Sequence, residues 1–247
     1  MNLLSDIRDL FFVPVCAACG KPLGEGQRFL CTACQWDIPL TGYETQADNP
    51  VFRRFWGLLP IENATAMAWF IHESNFRQLV HSFKYRGQWR GAVDMGRWFG
   101  RILADTDAYS GVDVIVPVPL HLRKVLKRGY NQSSYIAEGM SREMGIPVEE
   151  RAVVRRVNNR SQTEHSKTER WENVEGIFAV RKPERLVGHH ILLVDDVLTT
   201  GATIGSCAEA IFAATRPLED PATALGTPTR ISIATLYASR LGLGLKE

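Results

Sequence analysis

Apolar and polar positions fall into blocks along the second half of the chain, and each block has the length of one secondary-structure element. The run "VDVIVPVP" (112–119) is apolar on both faces and bounded by turn residues, as a buried strand requires. Residues 121–144 then carry apolar positions at helical spacing, ended by Gly145, Ile146 and Pro147. "AVVRRV" (152–157) reads as a further strand, followed by short strands near 177–180 and 190–195, a helix opening near Gly201 and a last strand "RISIATLYA" (230–238). Before this series, "TAMAWFI" (65–71) reads as a strand and residues 75–106 as one or two helices divided near Gly87. Strands and helices that take turns in this way predict an α/β fold, with a parallel sheet covered on both faces.

The first 45 residues follow a different pattern. Four of the five cysteines form two knuckles, Cys16-x2-Cys19 and Cys31-x2-Cys34, with eleven residues between them. Two such pairs at this distance suit tetrahedral thiolate coordination of zinc, whereas a redox dithiol needs only one pair. Residues 1–45 are therefore expected to form a short helix and a small zinc ribbon. Residues 39–50, rich in Pro, Gly, Asn and Asp, read as a linker to a second domain over 50–247. Cys207 stands alone in a predicted helix and reads as a small core residue.

Composition adds bounds. With 247 residues, 45% of them hydrophobic and 23% charged, the chain has ordinary globular usage. Asp6, Arg8 and Asp9 interrupt the apolar start, so neither a signal sequence nor a membrane span can be drawn there, and a cytoplasmic protein is expected. A net charge of +2 is too small to argue for nucleic acid by itself, although Arg123, Lys124, Lys127 and Arg128 form a dense local cluster. The six histidines have no ligand spacing, and His189-His190 reads as the opening of a strand.

Chemistry concentrates in "LLVDDVLTTGAT" (192–203), an apolar strand that ends in Asp195 and Asp196 and runs into a small-residue turn. In Thr199, Thr200, Gly201, Ala202 and Thr203 the turn would offer free amides, hydroxyls and the positive end of a helix dipole, which favour a phosphate. The two acids would repel that phosphate and need donors or a cation instead, such as sugar hydroxyls or a magnesium shell. Phosphate on one side and vicinal hydroxyls on the other describe a ribose 5-phosphate. An N-capped helix after a strand accounts for one acid and one threonine, but poorly for the whole run.

This motif resembles the phosphoribosyl pyrophosphate (PRPP) motif of the type I phosphoribosyltransferases, and the wider chain resembles the ComF/GntX family, which sets a zinc ribbon before such a domain. "HSFKYRG" (81–87), "VPVPLHLRKVLKRGYNQS" (116–133) and "SQTEHSKTERWENVEGIF" (161–178) carry the resemblance together with the cysteines. It implies a type I phosphoribosyltransferase-like parallel sheet flanked by helices and preceded by a small zinc-ribbon domain. Asp195 and Asp196 would hold the ribose hydroxyls, 199–203 the 5-phosphate, and Arg123, Arg128 and Arg170 the pyrophosphate, with magnesium accompanying PRPP. Arg128 and Asn131, flanking a permissive glycine, offer forked donors suited to pyrophosphate oxygens. A basic solvated helix face explains Arg123, Lys124 and Lys127 equally well. Lys84 serves either the acceptor side, the phosphates or a solvated helix end. The polar stretch 158–175, with Arg160, Gln162, Lys167 and Arg170, resembles the family's flexible site-covering loop, although 164–166 is Glu-His-Ser where a Gly-Leu-Ser-like turn is expected.

The resemblance implies phosphoribosyl transfer to an acceptor that no signature identifies, linked to DNA uptake in natural transformation. The alternative is a non-catalytic protein that senses nucleotides or binds single-stranded DNA through the ribbon and a basic surface at Arg151, Arg155, Arg156 and Arg160. Trp36, Phe52, Phe55 and Trp56 could stack bases there, but core packing is the expectation for them.

Overall fold

The computed structural model describes residues 14–71, 79, 89–157, 176–219 and 227–245. In chain order, a short helix α1 (Thr32–Trp36) belongs to the cysteine-rich segment, and α2 (Pro50–Arg53) precedes strand β1 (Ile61–Phe70). Helix α3 (Trp89–Ala104) leads to β2 (Val114–Pro117), α4 (Leu122–Arg128) and α5 (Gln132–Met144). Then come β3 (Val153–Arg155), β4 (Phe178–Val180), β5 (His190–Leu198), α6 (Ala202–Thr215) and β6 (Arg230–Ser239).

Four strands form a parallel sheet in the order β1-β6-β5-β2. Its central strand is apolar because it is covered on both sides, and its side chains alternate between two cores. Leu192 and Val194 join Phe99 and Leu103 of α3 and Ile136 and Met140 of α5 on one face. Ile191 and Leu193 join Ile204, Cys207 and Ile211 of α6 on the other, with Val153 and Phe178 beside them. His190 opens β5 as expected; it is buried with Nε2 2.8 Å from Ser232 Oγ, and burial depresses its pKa. Among the described residues no helix is long and apolar enough to cross a membrane.

The α/β architecture stands as expected, with several differences in detail. The stretch 121–144 is two helices, not one: Gly129 takes φ +87°, a left-handed conformation that closes α4, and Asn131 precedes α5 in extended geometry. Strands β3 and β4 lie outside the parallel sheet and pair antiparallel with each other. β5 runs to Leu198, so Asp195 and Asp196 lie within the strand and not at its end. Residues 39–50, read as a linker, are tied to β1. Trp69 N donates to Pro39 O at 2.9 Å, Thr41 N to Met67 O at 3.0 Å, and the buried Asn49 side chain both caps α2 and donates to Ala64 O. The cysteine-rich segment shares one apolar cluster with the sheet, since Cys16, Leu30, Cys34 and Ile38 pack with Met67, Met95 and Phe99. Of the aromatics expected to pack, Phe55 is fully buried, whereas Trp36 and Trp56 are 85% and 69% exposed.

Helices α3 and α5 approach at backbone distance. A Cβ on Gly96 would lie 2.2 Å from Ile136 O, and one on Gly139 would lie 2.1 Å from Val93 O. Helix propensity alone favours alanine over glycine by about 1 kcal/mol. Overpacking costs about 1–3 kcal/mol, so Gly139→Ala should destabilise the protein in denaturant unfolding. A variant as stable as the parent, or more so, would contradict this close approach.

Candidate functional site

Among the described residues two groups of side chains are candidates for chemistry, and the first is the cysteine cluster. Tight turns present the thiols: Gly20 N donates to Cys16 O at 2.8 Å, and Cys31 sits at the start of α1. The four Sγ atoms lie within 4.8 Å of one another, with Cys19 and Cys31 3.8 Å apart. Ligands about 2.3 Å from a tetrahedral zinc stand roughly 3.8 Å apart, so this set can close on such an ion with little movement. Burial opposes ionisation of Cys16, yet backbone hydrogen bonds with Cys31, Cys19 and Ala18 bring its pKa down to about 6. Cys34, in the same group, is pushed up by burial and by the neighbouring thiols. Four bare thiols cannot all ionise together, and a divalent metal removes that conflict.

The second group lines a cleft of about 400 Å³ at the carboxyl edge of the sheet, where open α/β folds place ligands. Asp195, Asp196, Thr199, Gly201 and Thr203 line it from β5 and the following turn, Lys124 and Arg128 from α4, and Ser133 from the first turn of α5. Ser133 Oγ donates to Asp195 Oδ1 at 2.8 Å, and the Asp196 amide donates to the same atom at 2.9 Å. Below it, Cys207 is fully buried, and burial with the charge of Asp195 pushes its thiol up.

The turn between β5 and α6 is clamped from two sides. Arg54 Nε donates to Thr200 O, and a Cβ on Gly201 would stand 3.2 Å from Arg54 Cγ and from the Phe55 ring. Gly242 presses from the other side, since a Cβ there would lie 2.4 Å from Thr199 O. Gly201 itself takes φ +79°, so only glycine fits without strain at this start of a fourteen-residue helix. The amides of the first turn of α6 are thereby aimed out of a fixed frame.

Not every residue singled out in the sequence reaches the cleft. Thr200 and Ala202 belong to the turn but do not line the cleft, and Arg123 is exposed on α4 while its neighbour Lys124 turns inward. Asn131 Nδ2 donates to Val118 O at 3.1 Å and so ties the end of β2 to the start of α5, while its buried Oδ1 has no hydrogen-bond partner among the described residues. Lys84, Arg170 and the stretch 158–175 with Arg160, Gln162 and Lys167 lie outside the described residues. Of the arginines assigned to a basic surface, Arg151 and Arg156 are exposed, but Arg155 turns into the cleft. Ser133 and Arg155 are the residues that sequence reasoning missed. Ser133 has no local signal, and the burial of a β3 side chain depends on the partner strand and on α6.

The phosphoribosyl transferase domain family matches residues 130–242. The chain is 34% identical over 100 residues to the DNA utilization protein YhgH of Escherichia coli, a match that spans 40% of this chain and 43% of that protein. It is 27% identical over 203 residues to the competence protein ComFC of Bacillus subtilis, spanning 80% of this chain and 78% of that one. Among solved structures, that of the allosteric regulatory enzyme of purine biosynthesis is 14% identical and covers 64% of this chain and 30% of its own, with a TM-score of 0.40.

The environment of Cys207 carries a direct test. A thiol whose pKa is raised stays protonated and unreactive. Brief treatment of the folded protein with iodoacetamide at pH 8, followed by mass spectrometry, should leave Cys207 unmodified. Alkylation at the rate of an exposed thiol would contradict its burial beneath Asp195.

Proposed function

We propose that this chain is a ComF-family phosphoribosyltransferase-like protein whose cleft binds PRPP with magnesium and supports transfer of its phosphoribosyl group. The observation that carries this reading is one cleft that holds Asp195 and Asp196, a strand-to-helix turn and the cations Lys124 and Arg128. The turn 199–203 would take the 5-phosphate on backbone amides and threonine hydroxyls. Asp195 and Asp196 would accept hydrogen bonds from the ribose hydroxyls or hold magnesium, a hard cation that prefers carboxylate oxygens. Arg128, with Lys124, would face the diphosphate. In the transfer, the bond from C1 to the diphosphate oxygen breaks, the diphosphate leaves with the electron pair, and a nucleophile bonds to C1. Asp195 and Asp196 would hold magnesium, which would supply neutralisation of the charge that builds on the departing oxygen. Lys124 and Arg128 add fixed positive charge at the same place.

The names of the relatives, a competence protein and a DNA utilization protein, link this chain to the handling of imported DNA. A second reading, single-stranded DNA binding, is favoured by the exposure of Trp36 and Trp56, whose rings could stack on bases. Titration calorimetry separates the two. PRPP with magnesium should bind the parent, and Asp195→Asn combined with Asp196→Asn should lose roughly tenfold to a hundredfold in affinity, as expected for charge-assisted hydrogen bonds. Equal PRPP binding by both proteins would place the ligand elsewhere. Single-stranded DNA bound in the absence of any PRPP response would favour the second reading.

The cysteine cluster, in this account, holds one structural zinc through Cys16, Cys19, Cys31 and Cys34. Because the ribbon shares its core with β1 and α3, loss of zinc should lower the melting temperature of the whole chain and not only release a tail. Elemental analysis should return one zinc per chain in protein purified without chelator. A disulfide between these thiols, or an unchanged melting curve after zinc is removed, would contradict it.

A further inference from the structure

A second concave surface lies away from the cleft, where the cysteine-rich segment meets α3. It is a groove of about 700 Å³, within the range that holds small ligands, and positions 94, 97, 98 and 101 of α3 run along it as one stripe at helical spacing. The opposite wall comes from residues between 25 and 35. Asp94 is half-buried in this stripe, and among the described residues its carboxylate has neither a hydrogen bond nor an ion pair. Burial pushes its pKa up, and the cation that offsets this most is Arg28 on the opposite wall, which is exposed and equally unbridged among the described residues. An acid and a guanidinium therefore share a groove across a gap that neither side chain closes.

A partly desolvated carboxylate without a partner is costly, and its oxygens only accept, so what satisfies it is a pair of N–H donors. The guanidinium asks for the reverse, an acceptor. Guanine carries both on one edge, with N1–H and the N2 amino group for the carboxylate and O6 for the guanidinium. Adenine has a lone pair at N1, which would face Asp94 unfavourably. Trp98, half-buried in the same stripe, offers a ring for the base to lie against. Arg97 and Arg101 share the single carboxylate of Glu143 on α5, with Arg97 Nε donating to Oε1 at 2.7 Å and Arg101 Nη2 to Oε2 at 3.3 Å. Two guanidiniums on one acid leave a local positive charge suited to a phosphate. Arg101 stands seven residues beyond Asp94, about 10 Å along the helix axis, which is comparable with the span of a nucleotide from base edge to 5′-phosphate. Glu25, Asp94 and Glu143 together balance Arg28, Arg97 and Arg101, so the groove has no net field to gather a nucleic-acid strand.

We propose that the groove between the ribbon and α3 binds a guanine 5′-mononucleotide, with the base edge held by Asp94 and Arg28 and the phosphate by Arg97 and Arg101. This site is separate from the cleft and does not depend on what the cleft binds. Its test uses the full-length chain, with GMP and AMP as separate probes in calorimetry. GMP should bind, and AMP about tenfold or more weakly, the cost of an unmatched base edge. Asp94→Asn keeps the shape of the side chain but removes the charge, and should weaken GMP by about tenfold or more, the loss of charge-assisted hydrogen bonds. Arg28→Met, on the opposite wall, should weaken GMP likewise and reads the same contact without altering α3. Asp195→Asn combined with Asp196→Asn should leave GMP binding as in the parent, which separates the groove from a nucleotide whose phosphate settles on the turn 199–203. No binding of GMP to the parent would overturn the proposal, as would equal affinities for GMP and AMP. GMP binding that survives both Asp94→Asn and Arg28→Met would overturn it too, because the nucleotide would then lie elsewhere on the chain.

Discussion

The cleft is organised around the carboxylate of Asp195, which follows the fully buried run Ile191–Val194 on β5. Its Oδ1 accepts from Ser133 and from the Asp196 amide. Those two bonds fix the direction of the carboxylate. Ser133 can do this only because α5 starts beside the end of β2. That start depends on Gly129, whose left-handed conformation ends α4, and on Asn131, whose side chain reaches back to Val118. A small break between two helices therefore positions an acid that is 62 residues away in the chain.

The same helix connects the cleft with the cysteine cluster. α5 lies against α3 at backbone contact through Gly96, Gly100 and Gly139, and α3 in turn accepts Phe29 of the cysteine-rich segment over Gly91, where a Cβ would fall 2.0 Å from the ring. The ribbon, α3, α5 and β5 share one apolar cluster. A close-packed interior transmits displacement instead of absorbing it. The ribbon is accordingly a wall of the same body that carries the site, and the residues between it and β1 hold the sheet edge.

How much of this was legible in the sequence depends on how local each feature is. The strand–turn–helix of 190–215 was readable because its apolar run, its acids and its glycine are contiguous and their chemistry is complete within twelve residues. The cysteine spacing was readable for the same reason, since knuckle geometry is set by a few bonds. The break at Gly129 was obscured because apolar positions at Leu122, Leu126 and Ile136 continue a helical pattern across it. Asn131 offered itself as a phosphate donor, and the structure shows one of its amide hydrogens bonded to Val118 O. Arg155 sat in a run of arginines that read as a basic surface for DNA, and its inward direction comes from the pairing with β4 and the packing of that pair on α6, which no window of the sequence contains. Trp36 and Trp56 failed in the opposite sense: large apolar rings were expected inside, and they stand in solvent.

The central claim is that one cleft holds both ends of a ribose phosphate, the 5-phosphate at the α6 turn and the diphosphate at the cationic wall. Phosphorus NMR of PRPP with magnesium observes those ends separately, because the 5-phosphate and the two diphosphate phosphorus atoms give distinct resonances. Addition of the protein should broaden or shift all three together, and the double exchange of Asp195 and Asp196 for asparagine should leave them as in free PRPP. Resonances that stay sharp and unshifted at saturating protein, or a response confined to one end of the molecule, would contradict it.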